Sequence, residues 1–373
     1  MIETPSVSSI DPAHDQSNRR VIDLLGEWFD DFGFAVELMP VSREPDKFNL
    51  IARCGEGEGG LVLSGHSDTV PYNESAWQQD PFKLTERDNR LYGLGTSDMK
   101  CFFPMIIEAL HQVETTAFRQ PLYILATADE ESNMTGAQAL VDSGKTLGQY
   151  ALIGEPTGLK PVYQHKGIMM ESIKLIGRSG HSSDPSLGIS ALEGMHAVMT
   201  RLMDWRRVLQ QNNHDESFRI PEPTLNFGSI RGGDNPNRIC AECVLTLDLR
   251  LMPGMHLDAV REQLYEQVSD AVRDTGLDLE CRSLFSGVPA LNTKTGSEIV
   301  RVAEKLSGHA AGSVAFGTEG PYLNAMNMST VILGPGDIDQ AHQANEFLAI
   351  DRIAPMLTIL TGMIRYFCIG ESI

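Results

Sequence analysis

Five residues of the chain have side chains that bind zinc or hard divalent cations, and each follows a predicted strand or lies in a Gly-rich turn: His66, Asp98, Glu131, Glu155 and His342. Histidine nitrogens and carboxylate oxygens are common zinc ligands. Singly, such a residue is more often only solvated or hydrogen-bonded at a strand end. Because ligands of an open α/β sheet bind outside the carboxyl ends of its strands, the five together predict one shared site.

Asp98 is the residue around which this predicted site is organised. It lies in the Gly-rich stretch 91–100, and an apolar helical pattern follows it directly, so its alternative role is to cap that helix. Two metal ions about 3.5–4 Å apart need a bridging anion to offset their repulsion, and a carboxylate can supply it. We therefore predict that Asp98 bridges two metal ions.

Glu130 and Glu131 are adjacent in the sequence, so in extended backbone their side chains point in different directions. One can bind a metal ion while the other remains free to act as a general base on a metal-bound water. The alternative is that both lie on a solvated turn. Asp68 follows His66 by two residues, and its carboxylate could accept the other ring N–H of that histidine and fix its orientation.

Strands that alternate with helices predict the fold around these residues. Strands are predicted at 34–38, 48–53, 61–63, 122–127, 151–153 and 330–333, and helices at about 16–32, 99–113, 134–143, 295–307 and 351–367. This alternation is typical of a doubly wound α/β domain with a mostly parallel sheet.

Residues 167–286 have a different pattern, in the order strand, helix, strand, strand, helix, strand. This order predicts an α+β unit of the ferredoxin-like type, inserted into the first domain. The predicted organisation is a catalytic domain in two parts, 1–166 and 287–373, with the inserted domain between them.

Length and charge restrict the class of protein. A chain of 373 residues is long for one hydrophobic core and predicts about two domains. The net charge of -20 argues against binding to nucleic acid or to an anionic membrane surface. The N-terminal residues lack the pattern of a signal peptide, and no apolar run approaches the roughly 20 residues of a membrane span. We therefore expect a soluble, cytoplasmic protein.

The six cysteines are scattered through the chain and do not resemble a disulfide framework. Cys240 and Cys243 have CxxC spacing, but no second cysteine pair accompanies them. Because they precede an alternating strand pattern, we predict two packed thiols in preference to a metal or redox site.

Four segments resemble motifs of the M20 metallopeptidase family of dizinc aminoacylases and deacylases: His66-Ser-Asp68-Thr-Val-Pro, Gly93-Leu-Gly-Thr-Ser-Asp98-Met-Lys, Asp129-Glu130-Glu131 and Gly154-Glu155-Pro-Thr. Longer runs are typical of the bacterial acetylornithine deacetylase group within that family, namely Tyr123-Ile-Leu-Ala-Thr-Ala-Asp-Glu-Glu, Gly180-His181-Ser-Ser-Asp-Pro, Gly233-Asp234, Asn237-Arg238-Ile239, Gly334-Pro-Gly and Gln340-Ala-His342-Gln. The resemblance spans nearly the whole chain.

The resemblance implies a dizinc centre. His66 and Glu155 would hold one zinc ion, Glu131 and His342 would hold the other, and Asp98 would bridge the two. Cobalt suits the same set of ligands. Glutathione is associated with this deacetylase group, although no motif in the chain explains the association.

The resemblance also implies roles for residues that do not bind metal. Glu130 would be the general base and then the general acid, and Asp68 would orient His66. His181, in the inserted domain, would help stabilise the oxyanion in the active site of a neighbouring subunit, which implies a homodimer formed through that domain. Asn237 and Arg250 would bind substrate, with Arg250 a natural partner for a carboxylate.

The implied reaction is the hydrolysis of N2-acetyl-L-ornithine to L-ornithine and acetate, in arginine biosynthesis. The δ-ammonium group of ornithine calls for a carboxylate in the site, and Glu319, in Phe316-Gly-Thr-Glu-Gly-Pro shortly before His342, is our candidate. The alternatives are another member of the family, such as succinyl-diaminopimelate desuccinylase or a broad aminoacylase, and a non-catalytic metal-binding homologue.

Two positions depart from the family pattern. The chain begins close to Thr4-Pro-Ser, where relatives usually have an additional N-terminal helix, so we expect either a shorter N-terminal region or a different start. Cys101 stands where relatives often have glycine, and we expect it to pack under the site.

Overall fold

The computed structural model of the protein describes residues 1–43 and 46–372. These residues form two compact units. The first unit comprises Met1–Tyr163, Thr293–Gly312 and Thr318–Ile373, and the second comprises Gln164–Asn292 and Ser313–Gly317. The predicted insertion, 167–286, lies entirely within the second unit.

The first unit is built on a mixed sheet with a parallel centre. Its strands are β1 (Ala35–Arg43), β2 (Asp46–Cys54), β3 (Leu61–His66), β4 (Thr85–Arg87), β5 (Arg90–Tyr92), β6 (Leu122–Thr127), β7 (Tyr150–Ile153), β15 (Ser329–Ile332) and β16 (Phe347–Ala349), and β8 (Val162–His165) begins in it. The main sheet has the order β1-β2-β6-β3-β7-β15-β8, in which β6, β3, β7 and β15 are parallel. The predicted α/β fold with a mostly parallel sheet is therefore confirmed.

The central parallel strands are buried along their whole length. All six residues of β3 and all six of β6 are buried, as expected of strands that are covered by helices on both faces. The helices of this unit are α1 (Arg19–Asp31), α2 (Phe102–Leu110), α3 (Thr135–Asp142), α6 (Glu298–Ser307), α7 (Gly320–Ala325) and α8 (Ile353–Ile364), which a π-helical turn at Arg365–Ile369 continues. The predicted helices are present, and α7 is an addition that the sequence pattern did not predict.

A small second sheet in the first unit has the order β16-β5-β4. Phe347 of β16 pairs with Tyr92 of β5, and Leu348 pairs with Leu91. The pairing joins the segment that follows His342 to the segment that precedes Asp98. These strands have three residues each, which is too short for a periodic pattern to identify.

The second unit is the α+β domain that the sequence predicts. It contains β9 (Gly167–Ile176), α4 (Ala191–Asn212), β10 (Thr224–Gly232), β11 (Glu242–Leu251), α5 (Leu257–Val272) and β12 (Asp278–Ser283), and the short strands β13 (Leu291–Asn292) and β14 (Gly312–Val314) lie at its ends. The four long strands form an antiparallel sheet in the order β10-β11-β9-β12. Alternate residues of β11 are buried, which confirms the predicted alternation and leaves one face of the strand for the core.

All six cysteines are free thiols, as expected. Cys243 is buried in the core of the second unit, whereas Cys240 is only partly buried. Cys101 is partly buried and packs against the core of the first unit.

Candidate metal centre

The parallel strands of the first unit bring their carboxyl ends to one edge of the sheet. In the register of β3 and β6, His66 pairs with Thr127, so the chain reaches Glu130 and Glu131 directly beyond β6. β7 runs parallel to β3 and is followed by Glu155. The apolar strands β3, β6 and β7 therefore end at the same edge of the sheet, and the polar residues that follow them lie close together.

Asp98 lies between the two histidines. Its Oδ1 is 3.0 Å from Nε2 of His66, and its Oδ2 is 3.8 Å from Nε2 of His342. Nε2 of His342 is also 3.0 Å from Oε2 of Glu131, and Nε2 of His66 is 3.9 Å from Oε1 of Glu155. The five residues that the sequence singled out are thus adjacent in space, with the Asp98 carboxylate in the middle.

Two sets of donor atoms in this cluster are close enough to hold a metal ion. One set is His66, Asp98 and Glu131, and the other is His66, Glu130 and Glu155; within each set the ligand atoms lie within 4.8 Å of one another. Glu130 is therefore near enough to serve as a ligand, although the sequence assigns it the role of a free base.

Asp68 has a wider structural role than the sequence predicts. Nδ1 of His66 is 3.1 Å from the main-chain oxygen of Asp68 and 3.6 Å from its carboxylate Oδ1, so the carbonyl is the closer acceptor. The carboxylate instead accepts hydrogen bonds from the backbone N–H groups of Glu130, at 3.4 Å, and Glu131, at 3.1 Å. Asp68 thus connects the His66 strand end to the turn that carries both glutamates.

The electrostatics of the cluster fit a bound cation. Burial, followed by the charge of neighbouring carboxylates, raises the pKa of Glu130 and of Glu155 well above the usual range. The hydrogen bond with Glu131 raises the pKa of His342 to about 9. Among the described residues, the buried Oε1 of Glu155 has no hydrogen-bond partner, and a buried carboxylate oxygen requires one or a metal ion. Imidazole and carboxylate groups in this number can bind divalent metal ions.

Asp129 supports the turn that carries the two glutamates, which the sequence did not predict. It adopts a left-handed backbone conformation, with φ 57°. Its carboxylate accepts hydrogen bonds from Ser8 Oγ at 2.8 Å and Thr135 Oγ1 at 2.9 Å, and it forms an ion pair of 2.7 Å with Lys47. These contacts fix the turn beyond β6.

Glu319 is not exposed in an open site, contrary to the prediction that it meets the substrate ammonium. Its side chain is fully buried. Oε1 accepts a hydrogen bond of 2.5 Å from Ser64 Oγ, and Oε2 accepts one of 2.6 Å from Thr127 Oγ1. Because both oxygens are already used within the core, the geometry favours a supporting role between β3 and β6. One feature of the sequence indicates these hydrogen bonds: Ser64 and Thr127 are polar residues within otherwise apolar strands.

The remaining predicted site residues lie in the second unit. The segments around His181 and Asn237 run side by side, with Ser182 N–H donating to the Asn237 carbonyl at 3.0 Å, and both side chains are exposed. His181 Nδ1 accepts a hydrogen bond of 2.7 Å from Ser183 Oγ. Arg250, on β11, forms an ion pair of 2.9 Å with Asp248.

An open cleft of about 960 Å³ adjoins the His181 and Asn237 segments within the second unit, and Ser182, Asp234 and Arg238 line part of it. Arg238 forms an ion pair with Asp234. Neighbours of His181 and Asn237 in these motifs, namely Ser182, Asp234 and Arg238, therefore border solvent-accessible space.

The chain is similar in sequence and in fold to known proteins. A relative named acetylornithine deacetylase, from Pasteurella multocida (strain Pm70), is 46% identical over 370 residues, which are 99% of this chain and 97% of the relative. The crystal structure of a tripeptidase from Staphylococcus aureus superposes with a TM-score of 0.77 at 19% identity, covering 98% of this chain and 95% of that one.

A structure described as a dinuclear metal binding peptidase from the M20 family, from Bacillus subtilis, superposes with a TM-score of 0.67 at 12% identity, covering 97% and 93% of the two chains. A sequence profile described as "Peptidase family M20/M25/M40" matches residues 62–366, a range that contains all five residues of the candidate metal centre. The extent of that match shows that this chain belongs to peptidase family M20/M25/M40.

Proposed function

We propose that the protein is a metal-dependent amidohydrolase that converts N2-acetyl-L-ornithine and water to L-ornithine and acetate, in arginine biosynthesis. The observation that carries the proposal is the Asp98 carboxylate between His66 and His342, with Glu130 beside them. The full-length similarity to a relative named acetylornithine deacetylase supports the choice of substrate.

We infer a centre of two metal ions, with zinc as the resident metal and cobalt as an effective substitute. His66 and Glu155 would hold one ion, and Glu131 and His342 would hold the other. Asp98 would lie between the two ions, since its two oxygens face different histidines. The similarity in fold to a dinuclear peptidase supports two ions in preference to one.

The chemistry is the addition of water to an amide carbonyl. Bound metal ions supply Lewis acidity toward the carbonyl oxygen and the attacking water. Glu130 takes a proton from that water as the new C–O bond forms, and it returns the proton to the α-nitrogen as the C–N bond breaks. In the proposed dimer, His181 of one subunit donates to the oxyanion formed in the other. Asn237 and Arg250 bind the rest of the substrate, with the Arg250 guanidinium on its carboxylate. Acetate and the free amine are the products.

We infer that the protein works as a homodimer formed through the second unit. Within residues 1–43 and 46–372, β11 is the one strand that pairs with β10, and Ile230 on this edge strand is 49% exposed. Leu192 and Val208 of α4 are about half exposed as well. An unpaired strand edge beside exposed apolar side chains is a surface that a second copy can cover by two-fold pairing. Light scattering on the wild-type protein and on Ile230→Lys tests this, and a monomeric wild type would contradict it.

We also infer a soluble, cytoplasmic enzyme. The helical segment Ile350–Ile369 is long and apolar enough to cross a membrane by length and composition. Met356, Leu360 and Ile364 within it are fully buried in the core of the first unit, which is the behaviour of a core helix.

The test is acetate release from N2-acetyl-L-ornithine, measured with chelator present and after zinc or cobalt is added back. The matched series contains N-acetyl-L-methionine and N-succinyl-diaminopimelate, and each assay is run with and without glutathione. We expect turnover on acetylornithine that chelation abolishes and metal restores. Metal-dependent turnover only on another substrate would overturn the substrate assignment, and no metal-dependent turnover on any substrate would overturn the enzyme assignment.

A further inference from the structure

A buried carboxylate that neither the metal ligands nor the general base account for lies under the loop that carries Asp98. Glu346 is 1% exposed. Its Oε1 accepts hydrogen bonds from the backbone N–H groups of Ser97, at 2.6 Å, and Asp98, at 3.0 Å. Its Oε2 accepts one from the N–H of Gly95, at 3.1 Å. Three donors of a single loop therefore converge on one side chain.

Converging backbone N–H groups form a concave anion-binding site. Here the acceptor that fills the site is supplied by the chain itself, as the side-chain carboxyl group of a residue 248 positions away from Asp98. Buried N–H groups that lose their partner cost free energy, and three of them depend on this one side chain. The Glu346 carboxylate therefore holds the loop in the conformation that directs the Asp98 side chain toward the two histidines.

The same residue also belongs to the segment of another metal ligand. Glu346 follows His342 by four residues, and its carbonyl oxygen accepts a hydrogen bond of 3.1 Å from the N–H of Gly93. β16 begins at the next residue and pairs with β5, which ends directly before Gly93. Side chain, main chain and strand pairing thus all fasten the His342 segment to the Asp98 loop.

We propose that Glu346 is a positioning residue, which sets the placement of Asp98 relative to His342 and thereby the affinity of the centre for the metal ion that these two residues share with Glu131. The proposal rests on the dinuclear centre of the proposed function. Glu346 contacts the backbone of Asp98 and not its carboxylate, so it acts through the loop. Loss of such supporting contacts costs about 10–100-fold in metal affinity in known metal sites.

The test replaces one oxygen of the Glu346 carboxyl group with an NH₂ group, which converts the side chain to an amide. Glu346→Gln keeps the size of the side chain, but its NH₂ group must face at least one backbone N–H donor in the place of an acceptor. Glu298→Gln is the matched control, because Glu298 is a carboxylate of the same unit that accepts hydrogen bonds from Tyr150 and Tyr366 and touches no metal ligand. Each full-length protein is titrated with zinc against a competing chelator, and the absorption bands of the cobalt-loaded protein are recorded.

We expect Glu346→Gln to bind one of its two zinc ions about 10–100-fold more weakly and to shift the cobalt bands, with KM unchanged at saturating metal. The control should match the wild type in zinc affinity and cobalt bands. A variant with wild-type zinc affinity and cobalt bands would overturn the proposal. The proposal would also fail if the melting temperature of the variant fell while its zinc affinity and cobalt bands stayed unchanged.

Glu346→Asp covers the case in which the glutamine variant does not fold. It keeps the carboxyl group but withdraws both oxygens by about one carbon–carbon bond. We therefore expect weakened binding of one zinc ion and altered cobalt bands. Unchanged zinc affinity and cobalt bands would overturn the proposal. The wild-type titration separates the two hypotheses. If the wild type binds no zinc, the dinuclear centre itself fails, whereas two tightly bound ions with unaffected variants reject only the role of Glu346.

Discussion

The carboxylate of Glu319 accepts a hydrogen bond of 2.6 Å from the hydroxyl group of Thr127, the last residue of β6. The other oxygen of Glu319 accepts from Ser64 of β3. β3 ends at His66, and β6 is followed by Glu130 and Glu131. One buried side chain therefore joins two strands that position residues of the candidate metal centre. This relationship changes the interpretation of Glu319 from a substrate contact to a support.

Glu319→Gln should therefore reduce stability and activity without changing substrate preference. Hydrogen bonds to a charged group contribute about 1.5–3 kcal/mol, and the variant retains part of this because a hydroxyl group can rotate to accept from the amide. We expect kcat/KM to fall by the same factor on N2-acetyl-L-ornithine and on N-acetyl-L-methionine. A loss confined to acetylornithine would contradict the supporting role and restore the ammonium contact.

Glu130→Gln separates a general base from a metal ligand. A positioned base contributes about 10²–10⁴-fold to the rate, so we expect kcat to fall by a factor within this range. Two metal ions per chain should remain bound, as measured by elemental analysis. If one ion is lost together with the activity, Glu130 is a ligand, as its proximity to His66 and Glu155 permits.

Removal of metal should lower the melting temperature. An ion that binds only the folded state stabilises it by about 2.7 kcal/mol when its free concentration is 100 times Kd. We expect dipicolinate to lower the melting temperature measured by calorimetry, and zinc or cobalt to restore it. The control is His66→Ala, in which added zinc should raise the melting temperature much less. A melting temperature that stays constant while elemental analysis shows complete loss of metal would contradict the proposal that the metal ions stabilise the folded protein.

Lys47→Met should destabilise the protein in a pH-dependent way. Lys47 is 1% exposed and forms ion pairs of 2.7 Å with both Asp15 and Asp129. Burial alone would lower the pKa of Lys47, but the hydrogen bonds with Asp129 and Asp15 outweigh it and raise the pKa above 10.5. Breaking a buried ion pair from one side costs about 3–5 kcal/mol.

The direction of the pH dependence follows from the raised pKa of Lys47. The stabilisation is complete below the unfolded pKa of about 10.5 and is lost as the pH rises through the higher folded pKa. Urea unfolding should therefore show a large difference between wild type and variant at pH 8 and a smaller one at pH 11. Lys145→Met is the control, because the Lys145 to Glu37 pair is exposed and should contribute less than about 1 kcal/mol. A difference that does not change with pH would contradict the argument.

The sequence by itself determined the class of fold and predicted which residues form the candidate metal centre. Apolar runs identify strands such as β3 and β6, and helical periodicity identifies α4 and α5, because burial imposes these patterns on neighbouring residues. His66, Glu131 and Glu155 were predicted because their side chains can bind metal and because they follow such strands. The structure brings these residues together with Asp98 and His342.

Only the tertiary structure decided how the centre is supported. Glu319 is separated from Thr127 by 192 residues, and Glu346 is separated from Ser97 by 249, so no local pattern links either carboxylate to its donors. From the sequence alone, each is one more glutamate in a loop that could face solvent or substrate. Burial removes water as a partner, and the carboxylate must then accept from whatever donors the packed strands and loops present. Those donors are set by the approach of distant segments, which the order of residues along the chain does not show.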